Sequence, residues 1–165
     1  MIPKSVSKPV VLPGSGVLRE LGEEELHLLS SSGQAWNIES GLKVITEGDQ
    51  QDCLYIVIKG KLDVSHNGEG GPVSLAELNA GDAFGEMNFL DRESASATVT
   101  ATCDSTVWRM SRNEFYGFTD AHPQIAMQLF RALAVMVVER LRRMLEEQGH
   151  PTSGNERDAK KRWWF

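Results

Sequence analysis

Long apolar runs are missing from this chain of 165 residues. Stretches such as Leu133 to Val138 fall far short of the roughly 20 residues a helix needs to cross a bilayer, which excludes a membrane-spanning protein. The opening stretch MIPKSVSKPVVLPGSG lacks the apolar centre of a secretory signal. Cysteine is scarce: Cys53 and Cys103 lie far apart and read as two free thiols in a reducing cytoplasm. Positive charge is in deficit, with 17 Lys and Arg against 23 Asp and Glu and a net charge of -6. Such a surface repels a polyanion over most of its area, which excludes a general nucleic-acid coat. Histidine is thinly spread, because His27, His66, His122 and His150 fall in four different predicted elements without HxH or HExxH spacing. With no GxSxG elbow either, the sequence assigns no catalytic residue and no metal ligand, and the chain reads as a non-enzyme.

What is present is the balance of one soluble domain, 41% hydrophobic and 24% charged. At this size folding buries about 70% of the surface of the unfolded chain, so one core suffices without disulfide or metal. Residues 1–16, with Pro3, Pro9, Pro13, Gly14 and Gly16, favour extended backbone and read as an N-terminal arm. From Val17 to Ser31, Leu18, Leu21, Leu26 and Leu29 recur at helical spacing, and Glu23 to Glu25 suit a helix N-terminus. One or two short helices fit there. Between Gln34 and Met110 the runs WNI, KVI, LYIVI, KLDVSH, VSLAEL, ATVTA and STVWRM are rich in branched and aromatic residues and bounded by Gly, Asp or Asn. They predict seven or eight short strands in a sandwich or barrel, with Asn67 to Gly71 turning a hairpin. Ser111-Arg112-Asn113-Glu114 is a capping box ahead of Phe115, Tyr116 and Phe118. Pro123 then opens a helix of some six turns that Gly149 and Pro151 stop. The domain therefore runs 17–148, and 149–165 is a flexible basic and aromatic tail.

A spaced set of glycines with acidic and apolar companions runs through the β region: Gly41, Gly48-Asp49, Leu54-Tyr55-Ile56-Val57, Gly60, Gly81-Asp82 and Phe84-Gly85-Glu86. Between strands such glycines mark tight corners, where a residue without Cβ turns at little cost. With these residues in place, the chain resembles a cyclic-nucleotide-binding domain of the catabolite-activator and protein-kinase-regulatory-subunit type. The likeness runs from about Val17 to Glu146 and includes EGDQQDCLYIVIKGKLDV, LNAGDAFGEMNFLD, SATVTA and HPQIAMQLFRALA. It implies a mainly β fold with flanking helices, an eight-stranded jelly-roll β-barrel, and a long C-terminal helix that can cover the pocket or pair two subunits. It also implies a phosphate-binding cassette, which here runs from Phe84 to Ala101.

In that resemblance Phe84, Gly85, Glu86, Met87, Arg92, Ala95, Ser96 and Ala97 are the candidate ligand-binding residues. Glu86 would accept a hydrogen bond from the ribose 2'-hydroxyl and Ser96 would touch the phosphate. The backbone N–H groups of the cassette helix would point at the same anion. Where the family places the arginine that pairs with the phosphate, this sequence has Ala95. Charge-assisted bonds of that kind contribute about 1.5 to 3 kcal/mol, and a buried charge stripped of its partner loses roughly 3 to 5. Affinity for a cyclic monophosphate is therefore expected to fall at least tenfold, from micromolar toward millimolar. Asp82, Glu86, Asp91 and Glu93 surround a single cation, Arg92, which is the one substitute in reach if the loop folds over. Its competing role is a surface pairing with Asp91 or Glu93.

On a heptad, Phe130, Val137 and Met144 share one position, Leu133 and Arg140 another, and Leu141 widens the stripe, so these six residues form the candidate dimer or partner face. A winged helix-turn-helix does not fit in the seventeen residues after Gln148, so direct DNA binding is not expected. The ending Lys160 to Phe165, with Trp163, Trp164 and Phe165, suits weak contact with a partner groove or membrane surface. The leading expectation is a cytoplasmic, non-catalytic sensory or regulatory module, homodimeric or bound to a protein partner, without a resident cofactor and with weakened affinity for cyclic AMP and cyclic GMP. The alternatives are a true cyclic-nucleotide sensor that holds the phosphate through backbone amides, Ser96 and Arg92, a pocket that takes another small anion, and a cupin-like enzyme on the same jelly-roll shape.

Overall fold

Alternation along the central strands dictates a layered molecule, and the structure, a computed structural model describing residues 4–5 and 10–149, shows how. The strands are β1 (Lys4–Ser5), β2 (Gln34–Ile38), β3 (Lys43–Ile45), β4 (Cys53–Lys59), β5 (Leu62–Gly68), β6 (Gly71–Leu78), β7 (Ala83–Phe84), β8 (Thr98–Ala101) and β9 (Ser105–Ser111). The helices are α1 (Glu23–Ser31), α2 (Glu86–Asp91), α3 (Arg112–Ala121) and α4 (Pro123–Gly149), with a 3-10 turn at Gly16–Leu18. All strand pairs are antiparallel, and they form a five-stranded sheet in the order β1-β2-β9-β4-β7 and a four-stranded sheet in the order β3-β8-β5-β6. The expected barrel is corrected here: no ladder joins the two sheets among the described residues, so the jelly roll is a pair of open sheets held by inward side chains.

β4 explains why LYIVI reads as a continuous apolar run. Its odd residues Cys53, Tyr55 and Val57 point between the sheets, beside Ile38, Leu62, Phe84 and Val107. Its even residues Leu54 and Ile56 point the other way, into a second core shared with Leu18, Leu29, Trp108, Phe115, Leu129 and Leu133. A strand buried on both faces has no polar alternation to show. Burial pushes the Cys53 thiol up to about 11, so it sits in the core as a neutral, unreactive group. The Trp108 indole N–H donates to the Ser30 carbonyl at 3.1 Å, and Gly33 leaves room for its ring: a Cβ at Gly33 would stand 2.5 Å from the indole.

The local readings of the chain are met closely. The Val17 to Ser31 segment forms the 3-10 turn and α1, and β5 and β6 make the hairpin at Gly68 and Gly71. The Ser111 hydroxyl accepts from the Glu114 N–H at 3.2 Å while the Glu114 carboxylate accepts from the Ser111 N–H at 2.6 Å. Leu12, in the expected arm, is 2% exposed and belongs to the helix-side core. No described helix is long and apolar enough to cross a membrane.

At 27 residues, α4 is about 40 Å long and carries two stripes. The inward one runs Ala126, Leu129, Leu133, Met136 and then Arg140, at alternating steps of three and four. The outward one runs Met127, Phe130, Ala134, Val137 and Leu141 at the same steps, and all five are exposed. Phe130, Val137 and Leu141 thus lie on the solvent-facing side of the helix. Leu133 and Arg140 do not: Leu133 is fully buried and Arg140 turns toward the cassette, which corrects their assignment to that face. The reason is their register, one step round the helix from the outward stripe. The Met144 side chain and the tail residues Trp163, Trp164 and Phe165 lie outside the described ones.

Candidate ligand-binding site

The cassette opens on a turn that only glycine makes at low cost. Gly85 has φ of 74°, and a Cβ there would stand 2.8 Å from the Cys53 carbonyl oxygen and 3.1 Å from the Tyr55 ring. Phe84, just before it, stacks on Tyr55 with ring centroids 4.8 Å apart. The chain then enters α2 with Glu86, 5% exposed, in its first turn.

Both ends of α2 are fastened by arginines from the C-terminal part of the chain. Arg140 donates from Nη1 to Glu86 Oε1 at 2.5 Å and from Nη2 to the Ala83 carbonyl at 2.8 Å. Arg112 donates from Nε to the Phe89 carbonyl at 3.1 Å and from Nη2 to the Asn88 carbonyl at 2.7 Å, the latter also accepting from the Arg92 N–H at 3.1 Å. Inside the turn, the buried Asn88 amide donates to the Glu93 carbonyl at 2.7 Å, and Gln51 bridges Asn88, Gly85 and the Cys53 N–H. The returning limb is tied to the β3–β4 loop, with the Ala95 N–H donating to the Asp49 carbonyl at 2.9 Å and its carbonyl accepting from the Gly48 N–H at 2.7 Å.

The cleft these elements frame holds about 50 Å³ of open space, well below the roughly 300 Å³ at which formed ligand pockets begin. Its walls are mostly apolar, with Ile45, Val64, Phe84, Met87, Ala97 and Val99, and its polar side chains are Glu86, Asn88 and Ser96. Among the described residues no Lys, Arg or His lines it. Ser96 Oγ lies 3.9 Å from the Met87 sulfur. Ala95 is 4% exposed and packs in the inter-sheet core.

The structure therefore brings Phe84, Gly85, Glu86, Met87, Ser96 and Ala97 together around one cleft, with Ala95 beside it. Arg92 stands apart: it caps α2 in the left-handed region at φ of 66°, is exposed, and donates from Nη2 to the Tyr116 hydroxyl at 3.3 Å. Neither the expected swing into the cleft nor the expected pairing with Asp91 or Glu93 is what its side chain does. Sequence reasoning missed Arg112, Gln51 and Asn88, and it placed Arg140 on a partner face. For Arg140 a signal existed, since it is the one charged residue in an inward stripe otherwise made of apolar side chains. Among the described residues no group of three or more His, Cys, Asp and Glu is arranged to hold a metal ion.

Two facing antiparallel sheets, a glycine-turned cassette and a long C-terminal helix define a jelly-roll class of domain. The sequence pattern of the cyclic nucleotide-binding domain matches residues 36–122, more than half of the chain, and the chain belongs to that family. Glutaminase 1 of Bradyrhizobium diazoefficiens is 34% identical over 125 residues, covering 76% of this chain and 20% of that protein. The cAMP-dependent protein kinase regulatory subunit of Yarrowia lipolytica is 36% identical over 99 residues, 60% of this chain and 26% of that protein. The chain thus spans only a minor part of these curated relatives. Among solved structures, the Thermus thermophilus catabolite activator protein superposes with a TM-score of 0.72 at 29% identity, over 81% of this chain and 61% of that one.

Proposed function

We propose that this chain is a non-catalytic regulatory module of the cyclic nucleotide-binding type whose cleft binds cyclic AMP and cyclic GMP weakly or not at all. The observation that carries this reading is the cleft's lack of a cation, with the small, buried Ala95 where the family's phosphate-pairing arginine is expected. An anion entering such a site leaves water without a charged partner among the lining residues, and the guanidinium nearest to it, Arg140, is already paired with the Glu86 carboxylate. The rival in which Arg92 supplies the charge gains nothing from its position, outside the cleft and bonded to Tyr116.

Output from such a module passes through α4. Its outward stripe, with Phe130, Val137 and Leu141, supports pairing with a second copy or with an apolar helix of another protein. Two free cysteines support operation in a reducing cytoplasm. Calorimetric titration of the full chain with cyclic AMP and with cyclic GMP tests the reading. Dissociation constants in the millimolar range, or no measurable heat, are expected, and the Ala95→Arg variant should bind at least tenfold more tightly. Low-micromolar affinity of the unaltered chain for either nucleotide would overturn it.

A further inference from the structure

The inward stripe of α4 calls for an apolar residue at position 140 and has an arginine there. Its guanidinium is half-buried and straddles the entry to the cassette, with one nitrogen on the Glu86 carboxylate and another on the Ala83 carbonyl. Glu86 is nearly inaccessible to water and, among the described residues, no other cation lines the cleft beside it, so Arg140 supplies the compensation that a buried carboxylate needs. Arg112 closes the other end of the same short helix on two carbonyls. The cassette is thereby tied at both ends by the chain's own guanidinium groups.

We infer that Arg140 is a built-in latch that docks the second half of α4 on the cassette in the ligand-free protein. This deepens the reading of an unclamped cleft and rests on it: the helix position is set by an internal ion pair instead of by an arriving phosphate. Up to Leu133 the helix is held by apolar burial, and beyond it the inward contacts dwindle to the partly buried Met136 and then Arg140. The latch also fixes the rotation of this half. With Arg140 turned in, Val137 and Leu141 are turned out, so the same ion pair keeps the outward stripe presented.

Amide hydrogen exchange on the full chain without nucleotide tests the latch. Arg140→Met keeps the length and removes the charge. It should speed exchange of the amides at 134–143 at least fivefold while the amides of β4 and β9 keep their wild-type rates. Glu86→Gln, which removes the other charge, should do the same, and it stands alone if the first variant does not fold. An acceleration below fivefold, or one spread equally over β4 and β9, would overturn the inference. Calorimetry on the unaltered chain reads the unclamped cleft separately: tight nucleotide binding there sinks that reading, whereas unchanged exchange at 134–143 in these variants with weak nucleotide binding sinks the latch alone.

Discussion

The two halves of α4 belong to one continuous helix and are held by different physics. From Ile125 to Leu133 four side chains sink into the helix-side core, with Arg131 to Glu20 at 3.0 Å as a surface supplement. From Ala134 onward the large hydrophobics Val135, Val137, Val138, Leu141 and Leu145 face solvent, and the inward tie is an ion pair. The cassette belongs with the second half, because it too is secured by guanidinium groups and carbonyls. Apolar burial holds a helix whatever the solution contains, whereas a polar tie can be exchanged for another partner. The difference places the scaffold in the first half and the adjustable contact in the second.

Substitutions can break this contrast. Leu133→Ala, in the buried half, should cost about 2 to 5 kcal/mol in urea unfolding, because it removes a fully enclosed side chain and leaves a cavity. Arg112→Ala leaves the Phe89 and Asn88 carbonyls without their charged donor and should cost about 1.5 to 3 kcal/mol. Its signature would be faster proteolysis within 86–95 while the β4 and β9 amides stay protected. Leu141→Ala, in the exposed half, sharpens the comparison by doing little: a stability change below about 0.5 kcal/mol is expected, with weaker self-association by sedimentation. A loss above 2 kcal/mol at Leu141 in dilute monomer would show that the outer half packs as the inner half does.

Much of the fold was legible because its signals are local. The capping box at Ser111 and Glu114, the Gly68 to Gly71 hairpin and the helix start at Pro123 each need only neighbouring residues to be recognised. The cassette's Phe84, Gly85 and Glu86 were legible through resemblance, and the glycine turn has its cause in the approach to Cys53 and Tyr55. What stayed hidden is long-range and polar. Arg140 and Glu86 are 54 positions apart, Arg112 and Asn88 are 24 apart, and no spacing rule connects such pairs. Heptad counting grouped Leu133 with Arg140 correctly but could not say which way that shared position turns. The single Arg92 drew attention as the cation closest in sequence, yet its left-handed backbone and the reach of Tyr116 take it elsewhere.

The outer edge of the four-stranded sheet is β6, eight residues long and largely exposed at its start. An open strand of that length is a template onto which another chain could add and propagate a fibre. Pro72 withholds one backbone donor there, Glu77 presents a charge, and the shifted register between Val64 and Ser65 bends the pair. Growth of the sheet from molecule to molecule is thereby discouraged.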